Sequence, residues 1–253
     1  MSRALLTLLV LGLVVVGAAF WAGCSPAHVN PLDPQSDAYN PVQPDLTQDF
    51  VTRVRSVHIA HSSGPETYSV LAEAWSEGTA TADSVWVTYL NGPALQLRIT
   101  QGVWSARLAA SYLGDPYLGG IVGKPFGFVV RLNNDSVFRR EPLYVFRVIE
   151  DTPEILSPIH GQVAGAHPDL QWTAFSGHFP FHYLVSVVEP MEPPYLETLV
   201  WTSDNIDSTR TGITVGDSLE DGAYYWTLTV ADPFENWSRS VEGTFTVTAG
   251  DLP

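Results

Sequence analysis

One thiol, seven histidines and a surplus of carboxylates are the groups in this 253-residue chain whose types permit chemistry. The thiol, Cys24, stands between an apolar run and a Pro-rich stretch and has no neighbouring cation. A nucleophilic cysteine needs a base and an electropositive setting to hold its thiolate, and Cys24 has neither. His58 and His61 fall on opposite faces of a strand and cannot chelate together. His178 and His182 flank "FPF" in an expected turn without further ligand-type residues beside them. The carboxylates of "SDNIDS" (Asp204, Asp207) and "GDSLEDG" (Asp217, Glu220, Asp221) lack the alternating Asp/Asn pattern, central glycine and distal glutamate of a calcium loop. They read as solvated turns capping strand ends. The chain carries no nucleophile elbow, phosphate loop, dinucleotide fingerprint or zinc-protease helix. The expectation is a chain without catalytic residues, metal or cofactor.

The elements around Cys24 give the thiol another meaning. Ala4 to Phe20 is almost wholly apolar, Arg3 is the only charge before it, and Ala22 and Gly23 lead directly to the cysteine. This is the layout of an export leader. A membrane-spanning helix needs a similar apolar length, roughly 18 to 20 residues, but no Lys or Arg cluster follows here. In an exported chain a lone thiol is free, paired between chains, or modified. The order apolar run, small, small, Cys resembles the lipobox of bacterial lipoproteins. That resemblance implies a leader over residues 1–23, cleavage before Cys24 and lipidation of Cys24. It places the chain in the bacterial cell envelope, at the outer membrane or cell surface, with the membrane as a partner through the lipid. Each buried methylene contributes about 0.8 kcal/mol, and two or more acyl chains are needed for stable anchoring. Residues 24–49, with Pro26, Pro31, Pro34, Pro41 and Pro44, read as a semi-stiff tether rising up to ~3.1 Å per residue. The segment "NPLDPQSDAYNP" resembles tethers that follow the lipidated cysteine in surface lipoproteins carrying immunoglobulin-like domains.

Twelve Lys and Arg against 27 Asp and Glu give a net charge of -15, and loss of Arg3 with the leader makes it one unit more negative. Such a field repels nucleic acid and anionic headgroups, which excludes a nucleic-acid partner and leaves membrane attachment to the lipid.

Beyond the tether the apolar residues alternate with period two. "DSVWVTYLNG" sets Val85, Val87 and Tyr89 on one face, and "PALQLRIT" does the same with Leu95, Leu97 and Ile99. "PFGFVVRLNNDSVF" adds Phe126, Phe128 and Val130, and "EPLYVFRVIE" adds Tyr144, Phe146 and Val148. Short alternating runs split by Gly, Asn, Asp and Pro predict an antiparallel sandwich over residues 50–150. Charge and two prolines in "EDTPEILSP" interrupt the pattern. We place a boundary there, with the two sandwiches stacked end to end across a short junction.

The second half repeats the pattern with larger side chains. Trp172 in "DLQWTA", Tyr183 in "HYLVSVVE", Tyr224 and Trp226 in "AYYWTLTVAD" and Phe245 in "GTFTVT" supply a core ~10 Å thick. "LQW", "YLVSV", "LEDGAYYWTLTVAD" and "NWS" before "TFTV" together resemble a fibronectin type III-like domain over residues 151–249, leaving 250–253 as a tail. The resemblance implies Trp172 on the second strand and Tyr224 as the hydroxyl of a tyrosine corner. Glu235 stands where bacterial relatives often have glycine in the turn. The fold class is therefore all-β, two tandem immunoglobulin-like (fibronectin type III-like) sandwiches after a leader and a tether.

Such domains are rarely catalytic, so the resemblance implies a binding or spacer module for adhesion or assembly. Two loops carry candidate contact residues: "SYLGDPYLGG" with Tyr112 and Tyr117, and "EPMEPPYLETLVW" with Tyr195 and Trp201. Aromatics on stiff loops can anchor a protein or glycan partner. A carbohydrate-binding accessory module of a polysaccharide-capture system, stacking sugars on these rings, is the alternative.

Overall fold

A computed structural model describes residues 50–78, 81–90, 92–133, 136–191 and 196–248, which fall in one compact unit. The leader, the tether with Cys24, Tyr195 and the tail lie outside the described residues.

Among the described residues nine strands build the first sandwich: β1 (Phe50–Ile59), β2 (Thr67–Ser76), β3 (Ala82–Tyr89), β4 (Leu95–Gln96), β5 (Arg98–Thr100), β6 (Val103–Ala109), β7 (Pro125–Leu132), β8 (Val137–Arg139) and β9 (Leu143–Tyr144). One sheet runs β1-β2-β6-β5 and faces a second ordered β4-β3-β7-β8, with β9 also on β7. The alternating residues meet between them: Val85, Val87, Phe126, Phe128 and Val130 are buried in one cluster with Phe50, Val70, Ala72 and Ala74. A four-residue helix, α1 (Ala110–Leu113), follows β6 and ends at Gly114, whose φ of 71° is the left-handed geometry glycine accepts most readily.

The expected alternation fails at two places. Leu97 is buried, but Ile99 is 54% exposed. Between β4 and β5 the chain leaves one sheet for the other, with the Leu97 N–H donating to Val85 O at 2.8 Å, so the inward face changes partway along the run. Past β9 the chain is no longer a strand, and Phe146 points outward to meet Phe234 with ring centroids 4.9 Å apart.

The second sandwich comprises β10 (Ile155–Ser157), β11 (Gln162–Ala164), β12 (Asp169–Trp172), β13 (His182–Met191), β14 (Leu196–Thr202), β15 (Ile206–Asp207), β16 (Gly212–Thr214), β17 (Gly222–Ala231), β18 (Trp237–Arg239) and β19 (Gly243–Val247). A sheet β10-β12-β16 packs on one in which β17 pairs with β13, β18 and β19, the two-sheet plan of an immunoglobulin-like sandwich. Trp172, Tyr183, Tyr224, Trp226 and Phe245 fill the space between. Full burial of each such side chain contributes on the order of 1.5–3 kcal/mol, provided its polar handle is satisfied. Each handle is satisfied here. Trp172 Nε1 donates to Arg210 O at 3.0 Å, Trp226 Nε1 to Pro158 O at 2.8 Å, and the Tyr183 hydroxyl accepts from the Phe175 N–H at 2.8 Å. The Tyr224 hydroxyl donates to Glu220 O at 3.1 Å, closing the corner that the resemblance implied. Gly243 lies against Trp226, where an added Cβ would come within 2.6 Å of Nε1.

The two sandwiches do more than stack end to end. The last part of β1 pairs in parallel with β18, Val57 with Trp237, His58 with Ser238 and Ile59 with Arg239. One sheet therefore runs β11-β19-β17-β18-β1-β2-β6-β5 through both.

Candidate functional site

Two neighbouring regions of this shared sheet gather most of the buried polar chemistry of the described residues: the joint on its inner side and a basic face on its outer side.

The joint grows from the turn between β17 and β18. Asp232 closes it by accepting from the Phe234 N–H at 2.9 Å and the Asn236 N–H at 3.0 Å, and its other oxygen takes Asn236 Nδ2–H at 3.1 Å. Glu235 sits within this turn at φ 61°, so the position where glycine is common does need left-handed backbone, and a glutamate supplies it at some steric cost. Asp232 and Asn236 are buried, and both reach the first sandwich. Arg147 Nη1 donates to Asp232 Oδ2 at 3.0 Å, and the Ser56 N–H donates to Asn236 Oδ1 at 2.9 Å. Ser56 Oγ–H donates to Arg147 O at 2.8 Å.

His58 completes the joint. Its Nδ1 is 3.2 Å from both Ile149 O and Ser238 Oγ, and its Nε2 is 3.1 Å from Glu66. Its ring stacks on Tyr68 at 4.0 Å, and the Tyr68 hydroxyl donates to Glu150 O at 3.3 Å. Burial, helped by Glu66 and Glu150, pushes the Tyr68 hydroxyl up to about 12. Strand, junction and second sandwich thus meet on one imidazole.

Residues opposite one another in register project to the same side of a sheet. Arg53, Glu73, Ser105 and Arg98 form one such row, and Arg55, Leu71 and Arg107 form the next. Arg239 stands opposite Ile59, and Ser69 opposite Val57, on that same outer face. Five of the chain's 12 cations therefore share a face of a strongly acidic protein. Arg53 and Arg55 are paired with Glu73 and Glu235. No carboxylate among the described residues forms an ion pair with Arg107 or Arg239. Burial lowers the proton affinity of Arg107, and the charges of Arg239 and Arg55 lower it further.

A groove of about 590 Å³ runs from this cluster across β18, β17, β13 and β14. Ser186, Thr202, Thr227 and Thr229 place hydroxyls along it, and Trp237, Tyr225 and the carboxylates Glu197 and Glu235 also line it. The Tyr225 hydroxyl is pushed up to about 12 by burial and by its hydrogen bond to Glu197. A second hollow of about 420 Å³ lies beside Ser69 and Arg107.

The loop aromatics are dispersed. Tyr117 is 66% exposed, its ring edge-on to Tyr68 at 5.8 Å. Tyr112 is 37% exposed and its hydroxyl donates to Pro93 O at 2.6 Å. Trp201, expected on a loop, instead lies in β14 opposite Val187 and is half-buried against the second core. Tyr112 and Tyr117 belong to the first sandwich and Trp201 to the second. His182 opens β13 and borders the groove. Among the described residues no three of His, Cys, Asp and Glu are grouped to hold a metal ion. The basic face escaped a reading by loops because its arginines lie on strands. Their alternation in "TRVRSV", with Arg53 and Arg55 two apart, was the available signal.

No protein-family model matches the chain, and no curated protein matches it. Among solved structures, fibronectin(III)-like modules of Clostridium thermocellum CbhA align at 10% identity and a TM-score of 0.28, over 78% of this chain and 93% of that one. The FN1-FN3 domains of chicken CNTN1 align at 12% identity and a TM-score of 0.26, over 71% of this chain. This chain spans 62% of the length of that second structure. Likenesses at these scores carry no argument, and the fold class rests on the strand pairing itself.

Proposed function

We propose that the chain is a non-catalytic binding and spacer protein of the bacterial cell envelope. A lipid on Cys24 holds it to the membrane, and its two immunoglobulin-like sandwiches act as one stiff arm in adhesion or assembly. The observation that carries the stiff arm is the β1–β18 pairing backed by the buried set Ser56, His58, Asp232, Asn236 and Ser238. Rotation of one sandwich against the other would break the ladder and leave these groups unpaired, each at a cost of about 1–3 kcal/mol. A joint so constrained holds surfaces of both sandwiches at fixed separation, which a presenter of binding faces requires.

Spin labels on Cys replacing Val137 and Val163, both exposed and one on each sandwich, test the arm in a Cys24→Ser background. A single narrow distance distribution is expected, and a broad or multimodal one would remove the stiff arm. The anchor is tested separately by fractionating cells that express Cys24→Ser. The protein should leave the membrane pellet; if it stays there with its leader removed, lipidation does not hold it.

A further inference from the structure

Among the described residues, four buried side-chain polar atoms have no hydrogen-bond partner, and three of them, Arg55 Nε, Arg239 Nε and Ser69 Oγ, belong to the outer face of the shared sheet. Native proteins rarely leave such atoms unpaired, and three in one patch mark a place built to receive an acceptor. The charge pattern agrees. Arg107 lies near enough to Arg239 and Arg55 for their charges to act on it, and although Arg55 is paired with Glu73 and Glu235, neither Arg107 nor Arg239 has an ion-pair partner among the described residues. Val57 and Ile59 lie buried on this face outside both cores, so the cations surround a dry floor where an anion is held more strongly than in water.

We propose that this face binds a carboxylated oligosaccharide, its carboxylate seated between Arg107 and Arg239 and its sugar rings lying in the groove beside Trp237. Guanidinium forks suit a planar carboxylate, which accepts two parallel N–H donors. A sheet face, unlike a sheet edge, offers no free backbone groups, so an acidic peptide would find no ladder to join here. Recognition must come from the hydroxyls of Ser186, Thr202, Thr227 and Thr229 and from the indole of Trp237, which match a polyhydroxylated chain. The net charge of -15 disfavours a densely charged polymer and selects one whose charges are sparse. This inference rests on the reading of the chain as a binding module and on the β1–β18 pairing that brings Arg239 beside Arg107, and is independent of the anchor.

Calorimetric titration of the full chain with xylo-oligosaccharides carrying a single glucuronate branch, and with the same oligomers methyl-esterified, tests it. Binding of the acid form that weakens with added salt is expected, with little binding of the ester. Arg239→Gln and Arg107→Gln should each weaken it about tenfold or more, as loss of a charged hydrogen bond does. Both variants relieve repulsion and should melt no lower than the parent. Ser69→Ala, which removes no charge, is the second probe should either arginine variant fail to fold, and it should weaken binding by a few fold. No binding of the acid form at millimolar concentration, equal binding of the ester, or unchanged affinity in the variants would each overturn the proposal. So would displacement of the sugar by polyglutamate, which would make the ligand a peptide.

Discussion

The core of the second sandwich and the joint beside it are equally buried but built of opposite materials. Trp172, Tyr183, Trp226 and Phe245 stabilise the core through area removed from water, a non-directional term that accepts many shapes of similar volume. Ser56, Asp232, Asn236 and Ser238 contribute little area to the joint, and each hydrogen bond there has a single geometry. The core therefore sets how stable the sandwich is, whereas the joint sets which register the two sandwiches adopt. A buried polar set of this kind gains little net stability when complete and loses much when one member is missing.

Substitutions can break that contrast in order of size. Trp226→Ala should cost about 3–5 kcal/mol, seen as a fall in denaturant midpoint, because it opens a cavity and orphans Pro158 O. Asp232→Ala should approach the lower end of about 3–5 kcal/mol, since Arg147 loses its carboxylate but keeps some access to water. Its distinguishing sign is a widened distance between labels on the two sandwiches, which Trp226→Ala should leave narrow. Tyr224→Phe removes one hydrogen bond from a corner that stays packed against Phe245, and should cost only about 0.5–1.5 kcal/mol by thermal unfolding. The smallest effect is alkaline. Tyr68 and Tyr225 hold their protons up to about 12 in the folded protein against an ordinary value of 10.0. The folded state therefore binds more protons between those values. The stability this contributes is complete below pH 10 and is lost as pH rises toward 12. Tyrosinate absorbance that develops late and together with unfolding is the expected trace.

Period-two alternation and large aromatics made the strands β3, β7, β13 and β17 legible in the sequence, and the resemblance to a fibronectin type III-like domain implied the corner at Leu219, Gly222 and Tyr224. These are local signals, each contained within about ten residues. The joint was not legible, because its partners are distant: Ser56 and Asn236 lie 180 positions apart. Nothing in "RSVHI" announces a parallel partner in "NWSRS". Alternation misled where the chain changed sheets at Leu97 and where it left the sheet at Phe146. The candidate contact residues were sought on loops, yet the unpaired donors of Arg55 and Arg239 sit on strands, where charge on an outer face ordinarily means solubility. Lipidation of Cys24 is an expectation from the order and smallness of its neighbours alone, and Cys24 lies outside the described residues.

The pairing of β1 with β18 also sets a schedule. A chain made from its N-terminus exposes β1 early, and β2 can cover one of its edges at once. The other edge waits for residues near the far end of the chain, so Val57 and Ile59 spend synthesis beside an open ladder. Closing so distant a contact is slow in the way non-local sheet pairing is slow. The first sandwich should accordingly mature last, although it is made first, and a chain truncated before Trp237 would carry an adhesive edge rather than a finished domain.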